Sequence, residues 1–134
     1  MELAFNKSEK DIFQKDISLN QEISYKYLDQ IITGLKSAGL VANVSGKKSG
    51  YRLTREPERI TAYDIHSAFN SRLSVVDCLL PQSTCSREGK CAVRNLWQGL
   101  NMVITDYLKS ITINDLVRDQ FELDTKQEEL IFHI

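Results

Sequence analysis

Leu28, Ile31, Ile32 and Leu35 stand at i, i+3, i+4 and i+7, the spacing that puts apolar side chains on one face of a helix. Ser24 precedes them as a residue able to accept from the first unpaired backbone N–H groups. Gly39 follows, free to take the left-handed conformation that closes many helices. Ahead of this stretch, Ile12–Ser18 predicts a shorter helix, and Asn20-Gln21-Glu22 reads as a polar turn between the two. Two short helices about a tight turn make a helix-turn-helix. Behind it, Leu40–Val44 and Tyr51–Thr54 read as extended stretches around Ser45-Gly46-Lys47-Lys48-Ser49-Gly50. That is a hairpin with a flexible basic tip, the form of a wing.

Beyond the hairpin, Arg55–Arg59 is a charged linker containing Pro57. Thr61 with Asp64 three residues later predicts a capping arrangement like the capping box, followed by the apolar face Ile65, Ala68 and Phe69. From Ala92 to Lys109, the residues Val93, Leu96, Trp97, Leu100, Val103, Ile104, Tyr107 and Leu108 keep helical spacing, weakened locally by Gly99. Thr112–Val117 predicts one short helical turn, and the residues from Phe121 onward a patchy tail. The expected fold is mainly α with a small β-hairpin: a winged helix-turn-helix over residues 1–59, a connecting helix and loop over 60–91, a long-helix region over 92–120, and a tail over 121–134.

Length and composition change this picture little. The 134 residues suit one compact domain, and 42% hydrophobic with 26% charged residues is ordinary for a globular protein. A net charge of −1 does not by itself announce a nucleic-acid binder. Its distribution is uneven: ten Lys and Arg against eight Asp and Glu in residues 1–60, then seven against ten. A DNA-contacting front half is permitted by that asymmetry. No stretch reaches the roughly eighteen apolar residues of a membrane span, and the start is unlike a secretory signal. A cytoplasmic protein with reduced cysteines and no membrane partner is expected. There is no Gly-rich phosphate loop, no convincing carboxylate pair and no Ser/His/Asp ordering, and His66 and His133 read as structural or solvated, so no enzyme is expected.

In a helix-turn-helix, the exposed N-terminal part of the second helix meets base edges in the major groove. Here those residues are Tyr25, Lys26, Asp29, Gln30 and Thr33, opposite the apolar stripe. Gln pairs with adenine, Asp accepts from cytosine N4, and Lys takes guanine or phosphate. Lys47 and Lys48 at the hairpin tip suit phosphates or the minor groove. An amphipathic helix with a merely solvated polar face remains the alternative for the helix alone; the adjoining basic hairpin favours DNA.

Cys78, Cys85 and Cys91 lie in one Gly/Ser-bearing loop, separated by six and five intervening residues. No tight pair of the structural-zinc kind occurs among them. By spacing alone they are either unrelated thiols of a surface loop or ligands for a soft metal or an iron–sulfur cluster.

Several segments together are similar to one family. Ile23-Ser24, Tyr27–Ile31, Leu35-Lys36, Ala38–Val41, Gly46, Lys48 and Gly50–Leu53 resemble the Rrf-type winged-helix regulators that include IscR, NsrR and CymR. The resemblance continues through Ile60-Thr61, Asp64-Ile65, Val76–Cys78, Cys91, Arg94, Trp97, Ser110–Ile113 and Asp115-Leu116, in the same order, and so spans about residues 12–117. It implies a homodimeric transcriptional regulator on palindromic operators in double-stranded DNA, with the long Ala92–Lys109 helix supplying much of the dimer interface and Asp29 a base-reading position. It also implies that Cys78, Cys85 and Cys91 hold a 2Fe–2S or 4Fe–4S cluster, whose loss or modification changes operator affinity. Two departures stand out. Arg94 occupies the place of the IscR histidine, which leaves the fourth ligand unassigned although Glu88 is a nearby oxygen donor. The helix that normally packs against the helix-turn-helix from the N-terminal side is largely without counterpart before Ile12. Both departures favour the alternative within the family, a cluster-free regulator controlled by a protein partner, as in CymR.

Overall fold

The computed structural model describes residues 1–5, 12–44, 50–70 and 72–132. Helix α1 (Glu2–Phe5) is followed by strand β1 (Ile12–Phe13), helices α2 (Gln14–Asn20) and α3 (Tyr25–Ser37), and strands β2 (Val41–Asn43) and β3 (Gly50–Leu53). Then come α4 (Ala62–Phe69), α5 (Ala92–Ser110) and α6 (Ile113–Phe132), with single 3-10 turns at Pro57–Arg59 and Asp77–Leu79.

The three strands form one antiparallel sheet in the order β1-β3-β2, pairing Ile12 with Tyr51 on one side of β3 and Asn43 with Tyr51 on the other. The helix expected over Ile12–Ser18 therefore begins two residues late. Ile12 and Phe13 are extended, pinned to β3, and the helix starts at Gln14. The turn into α3 is tied by Ser18 Oγ donating to the Ile23 carbonyl at 2.7 Å and by Ile23 N donating to the Ser18 carbonyl at 3.2 Å. As its sequence position predicts, Ser24 caps α3, its hydroxyl accepting from Tyr27 N at 3.2 Å. Gly39 closes the helix at φ +69°, where a side chain would be strained.

Two apolar clusters share the interior. Ile12, Ile17, Leu28, Ile32, Val41 and Tyr51 form the first, under the helix-turn-helix and sheet. Ala4, Leu40, Ile60 and Ile113 form the second, with Leu35 and Leu53 packed against both. An apolar cavity of about 330 Å³, open to solvent, adjoins Leu3, Leu28, Ile31, Leu35 and Ile60.

The second cluster is stitched by backbone. Ile113 N donates to the Ile60 carbonyl at 2.8 Å and Ala62 N to the Ile111 carbonyl at 2.9 Å, about a Thr61–Thr112 bridge. Each threonine caps the helix after it. Thr61 and Asp64 make the expected capping box on α4, with Asp64 N donating to Thr61 Oγ1 and Thr61 N to the Asp64 carboxylate. Thr112 and Asp115 repeat it on α6. The sequence predicts only a short turn at Thr112–Val117 and a patchy tail from Phe121; instead α6 runs to Phe132. A well-capped start is followed by the good helix formers Glu122, Leu123, Lys126 and Gln127, which carry the helix on without a strong apolar period.

The side-chain and backbone hydrogen bonds from Thr112 hold the Asp115 carboxyl below its ordinary pKa, with Arg118 adding to the effect. A lowered folded-state pKa means that this cap contributes fully above the unfolded carboxylate value and is lost as pH falls through the lowered one. Asp115→Ala is therefore expected to reduce α6 helicity at neutral pH and to flatten the acid limb of thermal stability, measured by circular dichroism from neutral pH downwards.

Candidate nucleic-acid interface and cysteine loop

Helix α3 turns Leu28 and Ile32 into the core and leaves Tyr25, Lys26, Asp29, Gln30 and Thr33 exposed, all five positions expected to face DNA. Tyr27, also exposed, lies at the far edge of this face. Its signal in the sequence is an aromatic residue off the Leu28/Ile31/Ile32/Leu35 stripe. The β2–β3 hairpin stands beside the helix, with Val44 N donating to the Gly50 carbonyl at 2.9 Å where the strands approach the tip. Lys47 and Lys48, the expected wing cations, lie outside the described residues, as does His133. Arg52, on β3, points outward, alternating with the buried Tyr51.

Beneath Tyr25 and Asp29 lies a polar bridge that the sequence does not announce. Tyr51 Oη donates to Gln14 Oε1 at 3.1 Å. Gln14 Nε2 in turn reaches Asp29 Oδ1 at 3.4 Å and the Tyr25 carbonyl at 3.5 Å. Burial, followed by the proximity of Tyr25 and Asp29, pushes the Tyr51 hydroxyl above its ordinary pKa, so it remains a donor.

Cys78 lies in the Asp77–Leu79 turn, Cys85 in the loop after it, and Cys91 at the N-cap of α5; all three are half-buried free thiols. Arg94, in the first turn of α5, clamps this loop. Its Nη1 donates to the Cys78 carbonyl at 2.6 Å, and its Nη2 pairs with Glu88 Oε1 at 2.7 Å. About two turns further on, Asn101 Oδ1 accepts from Val75 N at 3.2 Å. The loop is thus tied to α5 at two levels. Glu88, the oxygen donor expected near the cysteines, is engaged by Arg94, whose guanidinium offers donors only and no lone pair for a metal. Among the described residues no three His, Cys, Asp or Glu side chains are gathered closely enough to hold a metal ion. The donor chemistry of three thiols suits a soft metal; the loop conformation with the clamp closed does not converge them. His66 on α4 buries its Nδ1 without a partner among the described residues.

Helix α5 spans Ala92–Ser110, within one residue of expectation. Trp97, Ile104 and Leu108 turn inward, while Lys109 Nζ lies 4.9 Å above the Tyr63 ring of α4. On the outer face Val93, Leu96, Leu100, Val103 and Tyr107 are between 41% and 65% exposed and follow one another at alternating spacings of three and four. An exposed apolar seam of this kind matches one side of a helix pair.

A helix-turn-helix with a small antiparallel hairpin and a long following helix defines a winged-helix transcriptional regulator. The comparisons make this particular: the family model of Rrf2, iron-dependent transcriptional regulator, matches residues 1–119, and the chain belongs to that family. The HTH-type transcriptional regulator IscR of Vibrio campbellii is 30% identical over 96% of this chain and 76% of its own length. Among solved structures, CymR, the global cysteine regulator of B. subtilis, superposes with a TM-score of 0.68 at 33% identity, covering 86% of this chain and 84% of that one. IscR of T. potens gives a TM-score of 0.68 at 30% identity over 89% and 77% of the two chains. The family is one of regulators rather than enzymes, as expected from the sequence. No helix among the described residues is long and apolar enough to cross a membrane.

Proposed function

We propose that the chain acts as a homodimeric regulator on palindromic operators in cytoplasmic DNA. Tyr25, Lys26, Asp29, Gln30 and Thr33 enter the major groove, and Lys47 and Lys48 meet the backbone. The observation that carries this is the joint exposure of all five α3 residues beside the hairpin. Two copies joined along α5 present two such helices to two half-sites, the arrangement a palindrome requires.

Cys78, Cys85 and Cys91 would hold an iron–sulfur cluster, 2Fe–2S or 4Fe–4S, and so make operator affinity responsive. When bound, such a group supplies a redox- and oxygen-sensitive centre. The chain's own contribution is mechanical: Arg94 and Asn101 join the loop to α5, so a change in loop conformation is passed to the helix that spaces the reading heads. Support comes from three half-buried thiols in one short loop and from the family's iron dependence. The fourth ligand is not assigned, because Arg94 cannot serve and Glu88 is paired with it.

A second reading is favoured by that same clamp, in which Arg94 ties the Cys78 carbonyl and Glu88 to α5: a cluster-free regulator set by a protein partner. Anaerobic purification separates the two. Visible absorbance with bound iron and sulfide, lost in Cys78→Ala, Cys85→Ala and Cys91→Ala, is the result expected for the cluster. Colourless, iron-free protein that binds its operator tightly, represses normally after all three substitutions and brings down a stable partner would establish the second.

A further inference from the structure

Gln14 is 4% exposed and, among the described residues, stands alone as a polar side chain in the buried class. A buried primary amide with unmet hydrogen-bonding capacity destabilises a fold, and an apolar side chain of similar size would fill the same space without that penalty. Here both ends of the amide are used. The Tyr25 carbonyl and the Asp29 carboxylate accept, which turns Nε2 toward α3 and leaves Oε1 to take the proton of the Tyr51 hydroxyl on the β3 side. Nε2 then faces two acceptors, Asp29 Oδ1 and the Tyr25 carbonyl. Three elements meet in one chain of bonds: the base of the hairpin, the start of α2, and the first two turns of the reading helix.

We infer that Gln14 and Tyr51 are positioning residues for base selection. They hold Asp29 Oδ1 on the protein and leave Oδ2 for the amino group of one base in each half-site. This rests on the DNA-reading role given to α3 above. A carboxylate with one oxygen fixed presents its other acceptor in a single direction, whereas an unrestrained one swings and accepts from donors at neighbouring positions. The relay also links β3, the second strand of the hairpin, to Asp29. Neither residue touches DNA in this scheme; both act through Asp29.

The test is selection of bound duplexes from a random library by the full chain and by Asp29→Ala, Gln14→Met, Tyr51→Phe and the Gln14→Met/Tyr51→Phe pair. Asp29→Ala identifies the base position it reads. Gln14→Met and Tyr51→Phe are expected to lower preference at that same position by about twofold to tenfold, with unchanged affinity for mixed-sequence DNA at low salt. The double variant is expected to be no less selective than either single one, because the two act as one relay. Even weakening on all sequences, additive losses, or a change at a different position would overturn the inference and leave a merely structural role. A wild-type chain that enriches no motif would remove the DNA-reading role and this inference with it. A wild-type motif relaxed by Asp29→Ala but untouched by Gln14→Met and Tyr51→Phe would remove this inference alone. Should Gln14→Met fail to fold, Tyr51→Phe, which deletes a single oxygen, decides.

Discussion

Val103→Asp is expected to leave the chain folded but monomeric and to weaken operator binding by about a hundredfold to ten-thousandfold. Val103 is 65% exposed, so its side chain supports little within the protomer. It sits in the middle of the Val93, Leu96, Leu100, Val103, Tyr107 seam, where a symmetric pair of helices would bury it. An unpaired carboxylate there must be desolvated, and a twofold interface meets the substitution twice. In the proposed dimer, separating the two copies removes the second half-site contact, and with it the high effective concentration that joins two weak contacts into one strong one. Light scattering after gel filtration gives the oligomeric state, and a gel shift on the native promoter gives the affinity. A wild-type chain that is monomeric at operator-binding concentrations, or a Val103→Asp variant that remains dimeric, would remove α5 from the interface. Met102 is equally exposed but off the seam, so Met102→Asp serves as the control and should keep the dimer.

How far the sequence disclosed this molecule follows from the range over which each signal acts. Helix α3 was fully legible because its cap, its apolar period and its terminating glycine lie within sixteen consecutive residues, Ser24–Gly39. The same holds for the capping box at Thr61 and for α5. Strand β1 was not legible: two residues carry no period, and Ile12 and Phe13 are extended only because Tyr51 and Gly50 pair with them. The extent of α6 was hidden because its exposed length lacks an apolar stripe strong enough to separate a helix from a polar tail. For the site, exposure of the five α3 residues could be read from helical geometry alone. The bridge through Gln14 could not, since a glutamine in a polar-looking stretch reads as solvated until Tyr51, thirty-seven positions away, is brought against it. The Arg94–Glu88 pair was hidden for a related reason. A charged loop beside three cysteines predicts donors, and only the folded loop shows that the carboxylate and guanidinium engage one another.

Ile60→Ala carries the largest expected loss of stability, about 2–5 kcal/mol, and a fall in melting temperature of roughly 10–20 °C. Ile60 is 1% exposed, the most buried side chain described. It joins Ala4, Leu40 and Ile113, with Leu53, Ile65 and Leu116 packed around them, where the N-terminal segment, the hairpin, α4 and α6 converge. Its own carbonyl accepts from Ile113 N, so the backbone there is pinned and cannot follow a shrunken side chain inward. The cavity is then left largely open, which places the loss in the upper part of the range for such truncations. Ile60→Val, which keeps the branched shape, is expected to lose only about 0.5–1.5 kcal/mol. Since the cluster joins the helix-turn-helix and sheet to α6, unfolding of Ile60→Ala should stay a single transition, followed by far-ultraviolet dichroism and by Trp97 fluorescence on α5. Coincident curves shifted to lower temperature are the expected result. Separate transitions from the two probes would show that the Ile60–Ile113 stitch does not couple the halves, and a loss no larger than that of Ile60→Val would show that the site collapses freely.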